Sequence, residues 1–406
     1  MSAAVPRSAK WPTKPLGEVF EIHGGGTPSK QEASYYGGAI PWATIRDMGS
    51  SHLSSTEHSI TSLGLANSSS KLIPAGEVIM ATRVGLGKAC ILMQDTAINQ
   101  DIRALVPLKD QAVDRRFLLY WLQSLAGEIV AAGTGATVQG VTLPFIKGLQ
   151  FPSISLGEQE RIVAVLDQAF AALDRACANA GANLADARGL QARLIEDVLS
   201  DQELGECEPC GSHVDLLTGF AFKSAGYSGD ESDIRLVRGD NIVQGDFRWS
   251  GVMRWPESDR AAYRKYELAK DDVLVAMDRT WVSAGIKYAV VDEGALPSLL
   301  VQRVARLRAL PSLLPAYLAA WIGSPLFERY VLSIQTGLGV PHVSGGQIES
   351  FEMRVPSLEE QAKVVRKLGE VLQGCEKLSM TYERNLADIA TLRKCLLQAA
   401  FSGQLT

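Results

Sequence analysis

Two long stretches of this chain align with each other without a gap. The run from Glu158 to Ser200 recurs from Glu360 to Ser402, at a constant shift of 202 residues. The first copy opens Glu158-Gln159-Glu160-Arg161-Ile162-Val163 and the second Glu360-Gln361-Ala362-Lys363-Val364-Val365. An internal repeat of this kind constrains architecture more than any local propensity does. In the first copy Ile162, Leu166, Ala169, Leu173, Ala176, Ala180, Ala187, Leu190, Leu194 and Val198 return at steps of three and four. Val364, Leu368, Val371, Leu378, Tyr382, Ile389, Leu392, Leu396 and Ala399 fill the matching places in the second. The spacing predicts two long helices, each about 60 Å at 1.5 Å per residue, with an apolar seam that one helix cannot hide alone. An antiparallel pairing of the two is the economical solution. Asn183 and Asn385 interrupt both seams at the same place, and a buried asparagine there would set helix register.

The rest of the chain falls into two globular parts. At 406 residues there is room for two or three domains with real cores. The sequence predicts an α+β protein with boundaries at 1–151, 152–204, 205–355 and 356–406. The two globular parts are mixed α/β domains, separated by the helix pair in a pseudo-two-fold repeat. The start is polar, no run of eighteen apolar residues occurs, and the six cysteines are irregularly spaced. A reducing, cytoplasmic home and no membrane span are expected. The net charge of −5 argues against wholesale coating of nucleic acid, but local patches decide a binding footprint.

Short strands and glycine turns make up the first globular part. Leu16 to Ile22 leads into the loop Gly24-Gly25-Gly26-Thr27-Pro28-Ser29-Lys30. Strands are expected at Ile40 to Ile45, Gly76 to Thr82, Ala89 to Met93 and Asn99 to Val106, and a helix at Phe117 to Ser124 with Trp121 inward. The second globular part repeats this plan loosely. Ile234 to Asn241 stands for Ile40 to Asp47, Asp272 to Ala276 for Glu77 to Ala81, Gln302 for Gln100, and Tyr317 to Ser324 for Phe117 to Ser124. Thr336 to Val340 matches Thr134 to Val138. A shared frame with divergent loops suggests two copies of one module that read two different things.

Each copy is thus a divergent domain followed by a long helix with a proline, then Glu-Gln, at its opening (Pro152 to Gln159, and the shorter Pro356 to Gln361). This layout resembles the specificity (S) subunit of type I restriction-modification systems. The closing run Leu396 to Leu405 and the loop Gly26-Thr27-Pro28-Ser29 also look like that family. In the second domain Gly219-Phe220-Ala221-Phe222-Lys223 replaces that loop. The resemblance implies two target recognition domains, each reading one half of a split sequence in double-stranded DNA, with the helix pair setting the gap. It implies methyltransferase (M) subunits as partners, two of them, and restriction (R) subunits in the full enzyme. S-adenosylmethionine, ATP and Mg would then be bound by those partners, with no cofactor in this chain.

The chain's own chemistry reads as non-catalytic. No Asp/Asn-Pro-Pro-Tyr/Phe motif occurs, and Gly85-Leu86-Gly87-Lys88-Ala89 reads as a hairpin turn rather than a phosphate loop. Cys207-Glu208-Pro209-Cys210 with His213 lacks the second ligand pair of a zinc site, so no metal is expected. Base reading needs Arg, Lys, Asn, Gln, Ser or Thr on loops, with cations for phosphates. The candidates are Thr27, Ser29, Lys30, Thr44, Arg46, Arg83, Lys88 and Gln139 in the first domain. In the second they are Lys223, Arg238, Asn241, Arg254, Arg279, Lys287 and His342, with Trp255 and Trp281 as aromatic partners. Trp42, Trp121 and Trp321 fit core positions. A coiled-coil adaptor that binds only proteins is the competing reading.

Overall fold

A computed structural model describes residues 11–135, 139–334, 341–402 and 404. The chain forms two compact units, one of residues 1–180 with 384–406, the other of residues 181–383. Both long helices are present, as Leu156–Leu199 and Leu358–Phe401, each of 44 residues.

In the first unit a five-stranded sheet runs in the order Phe20–Gly24, Ile102–Pro107, Val78–Ala81, Ala89–Leu92, His52–Leu53. The first three pairings are antiparallel and the last is parallel. Its inner strand Val78–Ala81 is buried throughout. Successive side chains leave a strand on opposite faces. Val78 and Met80 therefore join the core formed with the helix Arg115–Ser124, while Ile79 and Ala81 join a second core with Ile98, Ile102 and Leu53. A four-stranded sheet, His58–Ile60, Tyr36–Ala43, Thr96–Ile98 and Lys71–Ile73, packs beside it.

The second unit repeats this topology. Its five-stranded sheet runs Val214–Thr218, Val304–Ala309, Val273–Ala276, Tyr288–Val290, Gln244–Gly245, again three antiparallel pairings and then a parallel one. A smaller sheet of Met253–Trp255, Ile234–Val237 and Ser298–Leu300 stands where the four-stranded sheet stood. The helix Pro315–Ile322, with Trp321 buried, matches Arg115–Ser124 with Trp121 buried. The expected strand from Asn99 begins later. Asn99-Gln100-Asp101 is a turn in which the Asp101 N–H donates to Asn99 Oδ1 at 3.1 Å, and the ladder resumes at Ile102. The match between Thr336–Val340 and Thr134–Val138 falls largely outside the described residues.

The helices pack antiparallel within each unit. In the first, Ile162, Val163, Leu166 and Phe170 share a core with Leu397, Ala400 and Phe401. The Arg393 guanidinium lies 4.5 Å above the Phe170 ring and pairs with Asp174. In the second, Val198 and Leu199 share a core with Val364 and Leu368, and Arg188 pairs with Glu383 at 3.1 Å. The seam is not sustained, however. Leu190, Leu378 and Leu392 are 44, 43 and 48% exposed, whereas the small Ala180 and Ala187 are buried. Asn183 and Asn385 are both exposed. A side chain that meets water pays no desolvation penalty that only one register relieves, so the register-setting role expected of these two asparagines is not supported.

One device recurs at the start of both helices. Gln159 and Gln361 are 2 and 0% exposed. Gln159 Oε1 accepts from the Asp114 N–H at 2.9 Å, and its Nε2 donates to the carbonyls of Ala112 and Ile154. Gln361 Oε1 accepts from the Leu314 N–H at 2.8 Å, and its Nε2 donates to the carbonyls of Ser312 and Pro356. Each glutamine thus fixes its helix to the loop before the short apolar helix of its own unit and to the segment leading into the long helix.

Candidate nucleic-acid interface

Loops at one end of the sheets of the first unit surround a cleft of about 690 Å³. It gathers Thr27, Lys30, Thr44 and Arg46, all anticipated from sequence, with Tyr36, His58, Asn99, Gln100 and Asp101, which were not. The Gly24–Gly26 run brings Thr27 there. A Cβ on Gly25 would lie 2.2 Å from the carbonyl oxygens of Ile98 and Asn99, so only glycine permits this approach. Thr27 Oγ1 then donates to Gln100 Oε1. Thr44 Oγ1 donates to Asp47 Oδ2 at 2.8 Å, which shapes the turn that exposes Arg46. Ser29, Lys30, Arg83, Lys88 and Gln139 are exposed, and Arg83 sits 3.6 Å from Asp101.

The corresponding loops of the second unit superpose in hydrogen-bonding pattern but not in side chains. The Ala81 N–H donates to the Lys88 carbonyl, and the Ala276 N–H donates to that of Lys287. The Val84 and Arg279 N–H groups donate to the carbonyls of Gln139 and Pro341, and Arg83–Gly140 and Asp278–His342 are equivalent bridges. Val84 and Arg279 even share a left-handed backbone, at φ 45° and 46°. Such a φ is costly for a side-chain-bearing residue and clusters at functional loops. Lys88 and Lys287 thus occupy one position, while Arg279 stands at the place of Val84 and His342 at that of Gly140, each one residue along from the places of Arg83 and Gln139. Lys287 is half-buried and donates to the Gly239 carbonyl. Its burial lowers its pKa below the usual lysine value, Arg248 and Arg279 push the same way, and Asp240 and Asp278 oppose them.

Several candidates in the second unit are taken up by structure. Asn241 is 4% exposed, accepts from the Arg238 N–H and donates to the Arg248 carbonyl. Trp255 is 8% exposed in an aromatic cluster with Phe222, Tyr227 and Tyr263. Neither presents an edge or a face to a ligand, so both leave the list of contact residues. Arg254 donates to the Asp233 carbonyl at 2.7 Å and Trp281 to Glu328 Oε1 at 2.7 Å. Arg238 pairs with Asp240 at 3.2 Å, and Lys223 and Arg279 are exposed. Sequence reasoning missed Asp278 and Arg303. The signal available was the match of Gln100 with Gln302, since each is followed by one member of a charged pair.

Elsewhere, Cys207 is an exposed strand residue, Cys210 is buried with its thiol pushed up to about 12 by burial and by Glu349, and His213 pairs with Glu208. Among the described residues, no three His, Cys, Asp or Glu are placed to hold a metal, and no helix is long and apolar enough to cross a membrane.

Residues 8–178 match the family described as the type I restriction modification DNA specificity domain. The chain is similar to the EcoAI specificity subunit of Escherichia coli, at 33% identity over 41% of this chain and 28% of that one. It is similar to the EcoR124I/EcoR124II specificity subunit of Escherichia coli, at 32% over 38% and 40%. These alignments span well under half of each relative. The StySPI specificity subunit of Salmonella potsdam is 22% identical over 98% of this chain and 89% of its own. Among solved structures, a chain of a type I R-M system matches at TM-score 0.74 and 17% identity, covering 99% of this chain and all of that one. The HsdS subunit of Thermoanaerobacter tengcongensis matches at TM-score 0.57 and 17% identity, with 98% of both chains covered. The fold is therefore that of these proteins, and the resemblance expected from the helix openings is borne out.

Proposed function

We propose that this chain is the specificity subunit of a type I restriction-modification complex, with each unit reading one half of a bipartite site in double-stranded DNA. One observation carries the reading. Two units of the same topology hold their loops in the same hydrogen-bonded frame while presenting different side chains. A duplicated frame with unlike tips suits a split target with unlike halves. Residues 1–151 and 205–355 are the reading domains, and 152–204 with 356–406 the paired helices that set the gap.

The chain is not itself an enzyme in this reading. It docks two methyltransferase subunits, joined by restriction subunits in the full complex, and those partners bind S-adenosylmethionine, ATP and Mg in the cytoplasm. Exposed Leu372, Leu378 and Met380, at 42, 43 and 55%, are apolar helix surface that a partner subunit would cover.

The test is to assemble the chain with its methyltransferase partner, map adenine methylation across a genome, and measure DNA affinity against salt. A bipartite motif with a fixed gap is expected, with log affinity falling linearly against log salt as phosphate contacts require. Absence of DNA binding at low salt would favour the protein-only adaptor.

A further inference from the structure

Each unit carries one charged pair at the same place in its frame, and the charges are exchanged. The Thr82 N–H donates to the Asp101 carbonyl at 2.8 Å, and in the second unit the Met277 N–H donates to the Arg303 carbonyl at 2.9 Å. Asp101 and Arg303 are therefore equivalent, as are Arg83 and Asp278, which follow Thr82 and Met277. Arg83 Nη1 lies 3.6 Å from Asp101 Oδ1, and Arg303 Nη1 lies 3.7 Å from Asp278 Oδ1. In the first unit the cation stands on the loop after Val78–Ala81. In the second it stands on the loop before Val304–Ala309. The cation is the more exposed partner both times: Arg83 at 52% against 18% for Asp101, and Arg303 at 60% against 37% for Asp278. His342 closes the second arrangement, with its Nδ1 2.7 Å from Asp278 Oδ1.

Exposed pairs of this geometry contribute little to folding. Their geometry suits recognition instead. A guanidinium steadied by a carboxylate behind it keeps outward N–H groups in a planar fork, and that fork matches O6 and N7 of guanine in the major groove. We propose that this inverted pair is a base-reading element of each unit. Arg83 addresses a guanine in one half-site, and Arg303 addresses one in the other half-site from the opposite side of the frame. Asp101, and Asp278 with His342, are positioning residues. The inversion lets one frame read two different half-sites without altering its backbone. The inference rests on the DNA-reading function proposed above.

The experiment uses the full chain assembled with its methyltransferase subunits and a randomised duplex library. Arg83→Ala should reduce preference at one base position of one half-site by about tenfold to a hundredfold and leave the other half unchanged. Arg303→Ala should do the same in the other half. Arg303→Lys keeps the charge but lacks the fork, so it should lose the base preference while the salt dependence of non-specific binding stays constant. Asp101→Asn should weaken the same base preference as Arg83→Ala without changing that salt dependence. Thermal unfolding of each variant should match the parent. Uniform weakening on all sequences, or unchanged preference in both halves, would overturn the role of the pair alone. Absence of any sequence-selective binding by the parent complex would overturn the DNA-reading function with it.

Discussion

The carboxamides of Gln159 and Gln361 engage main-chain atoms only, three each, from positions where water does not reach. Gln361→Leu removes the partner of one part-buried N–H and two part-buried carbonyls, so it should lower stability by about 1–3 kcal/mol. Denaturant midpoints at constant slope would measure this, and Gln159→Leu should behave alike. A second residue-scale effect depends on pH. Hydrogen bonds from Arg329, at 2.8 and 2.6 Å, hold the Glu196 carboxyl below its usual value. A lowered folded pKa adds stability above the ordinary carboxylate range, and that stability is lost as pH falls through the lowered value. Acid unfolding should therefore be less steep in Glu196→Gln. The glutamines were legible as a motif, but their role was not, because Gln159 and Gln361 bond to residues 45 and 47 positions away.

At the scale of elements, the inner strands were readable because unbroken apolar runs such as Val78–Ala81 and Val273–Ala276 can only be buried on both faces. What precedes each of them is an acid held by arginine. Glu77 pairs with Arg115, and the fully buried Asp272 pairs with Arg308 at 2.7 Å while also accepting from the Ala269 N–H. Asp272→Ala should cost about 2–3 kcal/mol, read from the unfolding midpoint of the second unit. Val84 lies at φ 45°, which a β-branched side chain tolerates poorly, so Val84→Gly should be neutral or stabilising by up to about 1 kcal/mol. The long helices were read correctly in extent but too generously in seam. A straight helix drifts against a seven-residue repeat, and over 44 residues Leu190, Leu378 and Leu392 turn partly out. The same drift exposes Asn183 and Asn385. Trp255 was misjudged because its aromatic neighbours come from separate loops, and no local pattern announces them.

For the whole molecule, the duplication was plain from the helices, while the equivalence of the loops of the two units emerged only from backbone hydrogen bonds. Arg83 and Asp278 share a position but no chemistry, so alignment by residue type passes over them. Under the proposed function, replacing residues 213–353 with another such domain should change one half of the recognised sequence only, as methylome sequencing would report. Removing seven residues from each long helix preserves the facing and shortens it by about 10 Å. The unspecified gap should then contract by roughly three base pairs, at 3.4 Å each.

The two buried glutamines carry a last implication. They grip backbone, and backbone is the same whatever side chains a foreign head brings. A genetic crossover just ahead of either Glu-Gln dipeptide would join an unfamiliar head to a resident stem, and the socket would still close. Under the proposed function, lineages carrying such a stem would trade heads freely, acquiring new DNA targets in a single recombination event rather than by gradual mutation.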